Sequence, residues 1–199
     1  MRRAILLGIA SALALTMGCG GDGGTGPGAT AESRTNEGWV LFEAGDYAGA
    51  IGKFNSAVSI DDTYADAYNG LGWSFAKLDS LARSITSFGD CIANGMSGDP
   101  HAGRAPAYRD LDPPQFSNAV STASSALALD RRYIFEHDIT FDWRDLHLIM
   151  AQSQFGLGQY DLANAEVDSL GGNVQDPGSS TFVEDLADEI ERMEALYGG

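Results

Sequence analysis

The sequence predicts an all-α fold, an α-solenoid of helical hairpin repeats that ends in a C-terminal capping helix. Three observations support this prediction: an internal repeat with a period of 34 residues, apolar residues at helical spacing, and an apolar fraction of 44%, which excludes wholesale disorder. Seven positions recur at the 34-residue offset, and all are apolar or glycine. Their first copies are Gly38, Trp39, Leu41, Ala48, Ile51, Phe54 and Ala57. Their second copies are Gly72, Trp73, Phe75, Ala82, Ile85, Phe88 and Cys91.

The first 18 residues have the pattern of an export signal. Arg2 and Arg3 precede an apolar stretch, residues 4–15, that is too short to span a bilayer comfortably and has the size of a signal-peptide core. The Thr-Met-Gly-Cys sequence that ends at Cys19 resembles a bacterial lipobox, in which the cysteine is lipidated and becomes the new N-terminus. The resemblance implies a protein that is lipid-anchored through Cys19 in the bacterial cell envelope, with the membrane and leaflet left open. An ordinary secretory signal and an uncleaved anchor are the alternatives.

Residues 19–30 are expected to form a glycine-rich tether. Residues 20–30 contain six glycines and one proline, a composition that cannot bury a core and is typical of flexible linkers. A random coil of this length has a reach of about 18 Å. A folded domain behind such a tether would lie just off a membrane surface.

The charge of the chain narrows the class of partner. The sequence has 28 acidic and 12 basic side chains, a net charge of −16. Removal of residues 1–18, which hold Arg2 and Arg3, leaves 10 basic side chains and a net charge of −18. A field of this sign repels phosphate backbones, so it excludes nucleic acid and favours a neutral to basic protein or peptide.

The repeat resembles the tetratricopeptide repeat (TPR) family, whose unit is a helix–turn–helix of 34 residues. The first unit, about residues 31–62, matches the family pattern at Gly38, at the Gly45-Asp46-Tyr47 turn, and at Ala50, Phe54 and Ala57. The second unit, about 65–94, departs from it at the Asp79-Ser80-Leu81 turn and at Ser84, where alanine is usual. The resemblance implies that the glycines let paired helices approach closely and that Phe54 and Phe88 fill the space between units.

Two weaker units and a cap are expected to follow. A degenerate third unit, about 101–130, has a short or irregular first half at 101–111, and its second helix is predicted to start with Asp112 as N-cap and proline next. The fourth unit, about 142–170, matches the family at Ala151, at the turn at 158–160, and at Ala163. In residues 171–199 a loop precedes a helix that begins with a capping box at 181–184. We interpret this helix as a terminal cap; a docking helix for a partner is the alternative.

Within this family the first helix of each unit lines a concave groove that binds extended peptides or helices. The resemblance therefore implies a groove for a protein or peptide, with partner contacts from Trp39, Phe42, Asp66, Asn69, Trp73 and Lys77. A second hypothesis is a surface that binds a small molecule or glycan through Trp39 and Trp73. In a third interpretation the two rings belong to the core, covered by the tether or by the long loop after the second unit.

The sequence contains no motif that predicts catalysis. Nucleophile-elbow, Walker A and zinc-protease motifs are absent, so we expect no enzyme, no catalytic residue, no cofactor and no metal site. The remaining candidate for a metal-dependent enzyme is the acidic stretch with His137, Asp142 and His147, whose spacing matches no ligand motif. If Cys19 carries lipid, Cys91 has no intramolecular partner, and its position in an apolar helical pattern predicts burial.

Overall fold

The computed structural model describes residues 28–174 and 176–198. The predicted signal peptide, the lipidation site Cys19 and most of the tether lie outside these described residues. The described part contains nine α-helices, and its only β-pairing is an isolated bridge between Ile134 and Asp142. The helices are α1 (Ala31–Glu43), α2 (Tyr47–Ile60), α3 (Ala65–Lys77), α4 (Leu81–Ala93), α5 (Asp99–Arg109), α6 (Phe116–Leu129), α7 (Trp143–Gly156), α8 (Tyr160–Ser169) and α9 (Phe182–Tyr197). None of the described helices is both long and apolar enough to cross a membrane.

Consecutive helices pack as hairpins, and the hairpins stack in sequence order. The pairs are α1 with α2, α3 with α4, α5 with α6, and α7 with α8. The first helices of the pairs also touch one another in succession, and α9 extends this row by packing on α7 and α8. We call the surface formed by α1, α3, α5, α7 and α9 the inner face. The predicted all-α repeat solenoid is confirmed.

Close packing between units depends on glycines that face phenylalanine rings. A Cβ atom on Gly38 would lie 2.5 Å from the Phe54 ring, and one on Gly72 would lie 2.5 Å from the Phe88 ring. Gly70 of the next unit approaches the Phe54 ring even more closely. Both rings are fully buried. The prediction that Gly38 and Gly72 let paired helices approach closely is therefore confirmed, as is the prediction that Phe54 and Phe88 fill the space between units, since Gly70 and Gly103 of the following units also face these rings.

The turns within the first, second and fourth units each depend on one left-handed residue. Gly45 and Gly158 have φ angles of 81° and 72° in the first and fourth units. Asp79 occupies the equivalent turn of the second unit with a φ angle of 55°, a conformation that costs most side chains free energy but is tolerated best by Asn and Asp. The departure from the family pattern at this turn thus keeps the same backbone shape.

The third unit is more regular than predicted. The half expected to be short or irregular is the 11-residue helix α5, with Pro100 in its first turn, where the missing amide hydrogen costs no helical hydrogen bond. The predicted N-cap at Asp112 is wrong, because α6 begins at Phe116. The backbone amide of Gln115 donates a hydrogen bond (2.9 Å) to the backbone carbonyl of Tyr108 in α5. This contact holds the chain against the end of α5, so the second helix starts only after it.

Helix α9 is amphipathic and covers the end of the array. Its buried face packs against α7 and α8 through Phe182, Leu186, Ile190 and Met193, as expected of a capping helix. The predicted capping box is wrong: the Thr181 hydroxyl donates to the Asp185 carboxylate (2.8 Å) and caps no backbone amide.

Cys91 is a buried thiol in α4. Its side chain is fully buried and forms no disulfide within the described part of the chain. Burial raises the pKa of the thiol to about 12, with smaller contributions from Asp66 and Asp99. The predicted burial of Cys91 is confirmed, and the thiol is not a reactive group at neutral pH.

Candidate binding site on the inner face

Residues 130–142, which join α6 to α7, form a compact loop that we call the connecting segment. The Phe135 amide donates to the Phe141 carbonyl (3.0 Å), and the Trp143 amide donates to the Tyr133 carbonyl (2.8 Å). These bonds turn the segment back on itself before α7 begins. The Asp142 carboxylate then caps α7 by accepting from the Arg144 amide (2.7 Å).

The connecting segment inserts Phe135 between aromatic rings of α1 and α3. Phe135 is fully buried and stacks on Trp73, with ring centroids 4.0 Å apart and an interplanar angle of 17°. It meets Trp39 and Phe42 edge to face, with both centroid distances 6.0 Å. These geometries are the favoured ones for aromatic pairs. Three of the residues predicted to contact a partner therefore contact this one ring.

His137 of the same segment stacks on Trp39. The two rings are parallel within 5°, with centroids 3.7 Å apart. His137 Nδ1 lies 2.8 Å from Glu43 Oε1, which ties the segment to the end of α1. The Trp39 indole N–H donates to Asp66 Oδ2 (3.1 Å). Trp39 is thus enclosed by α1, α3 and the connecting segment.

Polar contacts hold the segment at Tyr133 and at Asp138. Lys77 Nζ forms an ion pair with Asp138 (2.7 Å), and the Tyr133 hydroxyl donates to Asp99 Oδ1 (2.9 Å). The Asn69 side-chain amide donates to Asp99 Oδ2 (3.2 Å). Burial raises the pKa of the Asp99 carboxyl, and the hydrogen bonds from Tyr133 and Asn69 oppose the rise.

The predicted groove residues are thus brought together on one face, but they contact the protein's own chain. Trp39 and Trp73 are 4% and 3% exposed. They are core residues, so the prediction that they contact a partner is corrected, and the hypothesis of small-molecule or glycan binding through these rings fails with it. Within the described part of the chain, the covering element is the connection between the third and fourth units and not the loop after the second unit.

The histidines do not form a cluster. His137 contacts α1, whereas His147 Nδ1 lies 2.6 Å from Glu166 Oε2 between α7 and α8. Among the described residues there is no group of three His, Cys, Asp or Glu side chains that could hold a metal ion. The hypothesis of a metal site at His137, Asp142 and His147 is therefore wrong.

A cavity of about 400 Å³ remains open on the inner face beside the connecting segment. It lies between α3, α5, α7 and the C-terminal end of α9. Its apolar wall is formed by Trp73, Phe141, Leu148 and Ile149. Its charged wall is formed by Lys77, Arg109, Asp110, Asp145 and Glu194. Of the predicted groove residues, Trp73 and Lys77 therefore line the space that remains.

Within the charged wall, Arg109 is bound by other side chains, whereas Asp145 accepts a hydrogen bond from a backbone amide. Arg109 binds Asp110 (2.6 Å) and Gln152 (2.7 Å). Asp145 caps α7 by accepting from the Asp142 amide (2.7 Å) and is 8% exposed. Burial raises the pKa of the Asp145 carboxyl to about 6, against the lowering effect of hydrogen bonds and of Arg109.

Comparison with known proteins agrees with this architecture. The TPR repeat family matches residues 38–79, which extend from α1 to the turn after α3. Among solved structures, YrrB, described as a TPR protein with an unusual peptide-binding site, has a TM-score of 0.62 at 16% identity, over 83% of this chain and 77% of its own. The chain has the TPR fold.

Two further TPR structures are similar over most of this chain. TTC0263, a thermophilic TPR protein from Thermus thermophilus, has a TM-score of 0.55 at 17% identity, over 84% of this chain and 83% of its own. A tetratricopeptide repeat protein from Parabacteroides merdae has a TM-score of 0.57 at 13% identity, over 84% of this chain and 61% of its own. A search of curated proteins finds no match.

The connecting segment is the part of the site that sequence reasoning missed. Its signal is the aromatic content of a stretch with neither helical nor strand periodicity: Tyr133, Phe135, Phe141 and Trp143 fall within eleven residues. A loop that is fully exposed to solvent would not be expected to contain so many aromatic residues, because an aromatic ring stabilises a fold only when it is buried. The cavity residues of α5 and α7 carry no comparable signal, since their convergence depends on how the units stack.

Proposed function

We propose that this protein is a membrane-anchored scaffold in the bacterial cell envelope that binds a protein or peptide partner at the inner-face cavity. The single observation that carries the proposal is the cavity itself, since four helices of the inner face converge around it and leave it open. Its size falls within the range of pockets that hold ligands, and it combines an apolar wall with a few charged groups. The TPR fold supports binding and not catalysis, because such repeats present extended surfaces to partners.

The connecting segment limits how a partner can bind. It covers the inner face along α1 and the neighbouring part of α3 through Phe135 and His137. A peptide cannot lie along the whole inner face while this segment is in place. We therefore propose that the partner reaches the cavity with a short segment, and that its remaining contacts lie on the rim.

Photo-crosslinking in cells tests the site of binding. Ala76 lines the cavity, and Leu129 is an exposed residue at the end of α6, away from it. A benzophenone amino acid at position 76 should give a discrete crosslinked protein adduct, and the same amino acid at position 129 should not. Equal adducts at both positions, or none at position 76, would contradict the proposal.

The anchor is a separate part of the proposal and has its own test. Cys19→Ser should move the protein from the membrane fraction to the soluble fraction, because it removes the residue that would carry lipid. Cys91→Ala is the matched control: it removes a buried thiol and should leave membrane retention unchanged. Continued membrane retention of Cys19→Ser would show that the lipobox interpretation is wrong.

A further inference from the structure

We infer that the inner-face cavity takes a basic side chain, arginine or lysine, from the bound partner. This inference rests on the proposed function and names the chemistry that the same site would recognise. It follows from the ion pairs of the cavity wall: the two cations are paired with carboxylates of the chain, and two of the carboxylates form no ion pair.

The two cations of the wall are already paired. Lys77 is held by Asp138, and Arg109 is held by Asp110 and Gln152. An incoming carboxylate or phosphate would have to displace a carboxylate of the chain from either group. The cavity is therefore poorly suited to an anionic ligand, although two basic residues line it.

Two carboxylates of the wall form no ion pair within the described part of the chain. In the structure of residues 28–174 and 176–198, neither Asp145 nor Glu194 forms an ion pair. Asp145 is the more telling group because its side chain is buried and forms no ion pair, although the Arg109 charge acts on it, and burial disfavours the charged form of a carboxylate. Burial, with a smaller contribution from the Asp142 charge, raises the pKa of Asp145. A cation in the cavity would favour the charged carboxylate.

The apolar wall suits the rest of a basic side chain. The methylene groups of arginine or lysine would pack against Leu148 and Ile149, which are almost fully buried. Aromatic faces attract guanidinium and ammonium groups, and the ring of Phe141, which is only partly buried, lines the cavity. The net charge of −16 adds a long-range attraction for a basic partner.

The test compares two peptides that differ only in charge. The probes are acetyl-Gly-Arg-Gly-amide and the same peptide with citrulline, which keeps the shape of arginine and lacks its charge. Full-length protein in detergent micelles is titrated with each peptide, and the indole N–H resonance of Trp73 is followed by NMR. The arginine peptide should shift this resonance saturably, and the citrulline peptide should bind about tenfold more weakly, the equivalent of losing one charged contact.

Matched variants locate the effect. Asp145→Asn keeps an oxygen acceptor for the Asp142 amide, and Glu194→Gln is isosteric; each should weaken arginine binding by about fivefold to tenfold. Asp188→Asn and Glu191→Gln change exposed acids of α9 outside the cavity and should leave binding unchanged. An unfolding midpoint close to that of the wild type shows that each variant is folded.

Several results would overturn the inference: no saturable shift with the arginine peptide, equal affinity for the citrulline peptide, or unchanged affinity in both Asp145→Asn and Glu194→Gln. If one of these results is obtained and crosslinking at position 76 still captures a partner, the scaffold proposal stands and only the assignment of a basic side chain to the cavity fails. If arginine binds as expected but no protein is crosslinked, the cavity chemistry stands and the scaffold proposal fails.

Discussion

Replacing Phe135 by alanine tests whether the connecting segment is part of the folded core. The ring is fully buried and lies against Trp39, Phe42 and Trp73. Truncation of a buried phenylalanine to alanine costs about 3–5 kcal/mol of unfolding free energy, from lost transfer energy and the cavity left behind. Because domains are stable by only about 5–15 kcal/mol, this change would remove a large share of the total.

The assay is urea unfolding of the full-length protein in detergent, followed by tryptophan fluorescence and far-ultraviolet circular dichroism. Ile139→Ala is the matched control, since Ile139 belongs to the same segment and is 74% exposed. Its free energy of unfolding should stay within about 0.5 kcal/mol of the wild type. If Phe135→Ala costs less than about 1 kcal/mol, or no more than Ile139→Ala, the segment does not pack on the inner face as described, and the reasoning is refuted.

Three further predictions concern packing, turn geometry and pH. Gly38→Ala should lower the free energy of unfolding by about 1–3 kcal/mol, because its Cβ would collide with Phe54. Gly52→Ala in α2, where the added atom has open space around it, should raise the free energy of unfolding by up to about 1 kcal/mol. Equal effects of the two variants in urea unfolding would contradict the packing argument. Asp79→Gly should raise the free energy of unfolding by up to about 1 kcal/mol, because glycine adopts the left-handed turn without steric cost. Gly158→Ala, which places a side chain at the equivalent left-handed position, should lower the free energy of unfolding. The thermal unfolding midpoints of the two variants check these opposite effects. Asp145 has a folded-state pKa of about 6 against an ordinary value of 3.8, so the folded state binds the proton more tightly and loses stability as pH rises from about 4 to about 6. Between pH 3.5 and pH 7 the wild type should therefore lose about 3 kcal/mol of unfolding free energy relative to Asp145→Asn, whose side chain does not titrate. A difference between the two proteins that does not change with pH would show that Asp145 is not buried as described.

The first two units could be predicted from sequence because their packing leaves a readable pattern. Gly38 and Gly72 face the rings of Phe54 and Phe88, and this pairing recurs with the period of the repeat. The same logic applies to α5, where a Cβ atom on Gly103 would collide with Phe88. In the sequence, Gly103 and Pro106 suggest a break in the helix, since both residues disfavour helix interiors. Here Gly103 is a packing glycine, and tertiary contact outweighs its intrinsic propensity.

The candidate site could be predicted only in part, for a different physical reason. Position within a repeat predicts which side chains point to the inner face, and Trp39, Phe42 and Trp73 do gather there. It cannot predict what covers them, because a connecting loop has no periodicity from which its path could be derived. Whether an aromatic residue on the inner face binds a partner or completes the core is decided by that loop.

The connecting segment divides the inner face into two parts with different physical roles. Along α1 the contacts are aromatic and closed, through Phe135 and His137, so this part contributes to stability. Around the cavity the contacts are open and charged, and Asp145 and Glu194 set their sign. A partner that uses this site is therefore selected by charge and by the shape of one side chain, and not by a long complementary sequence.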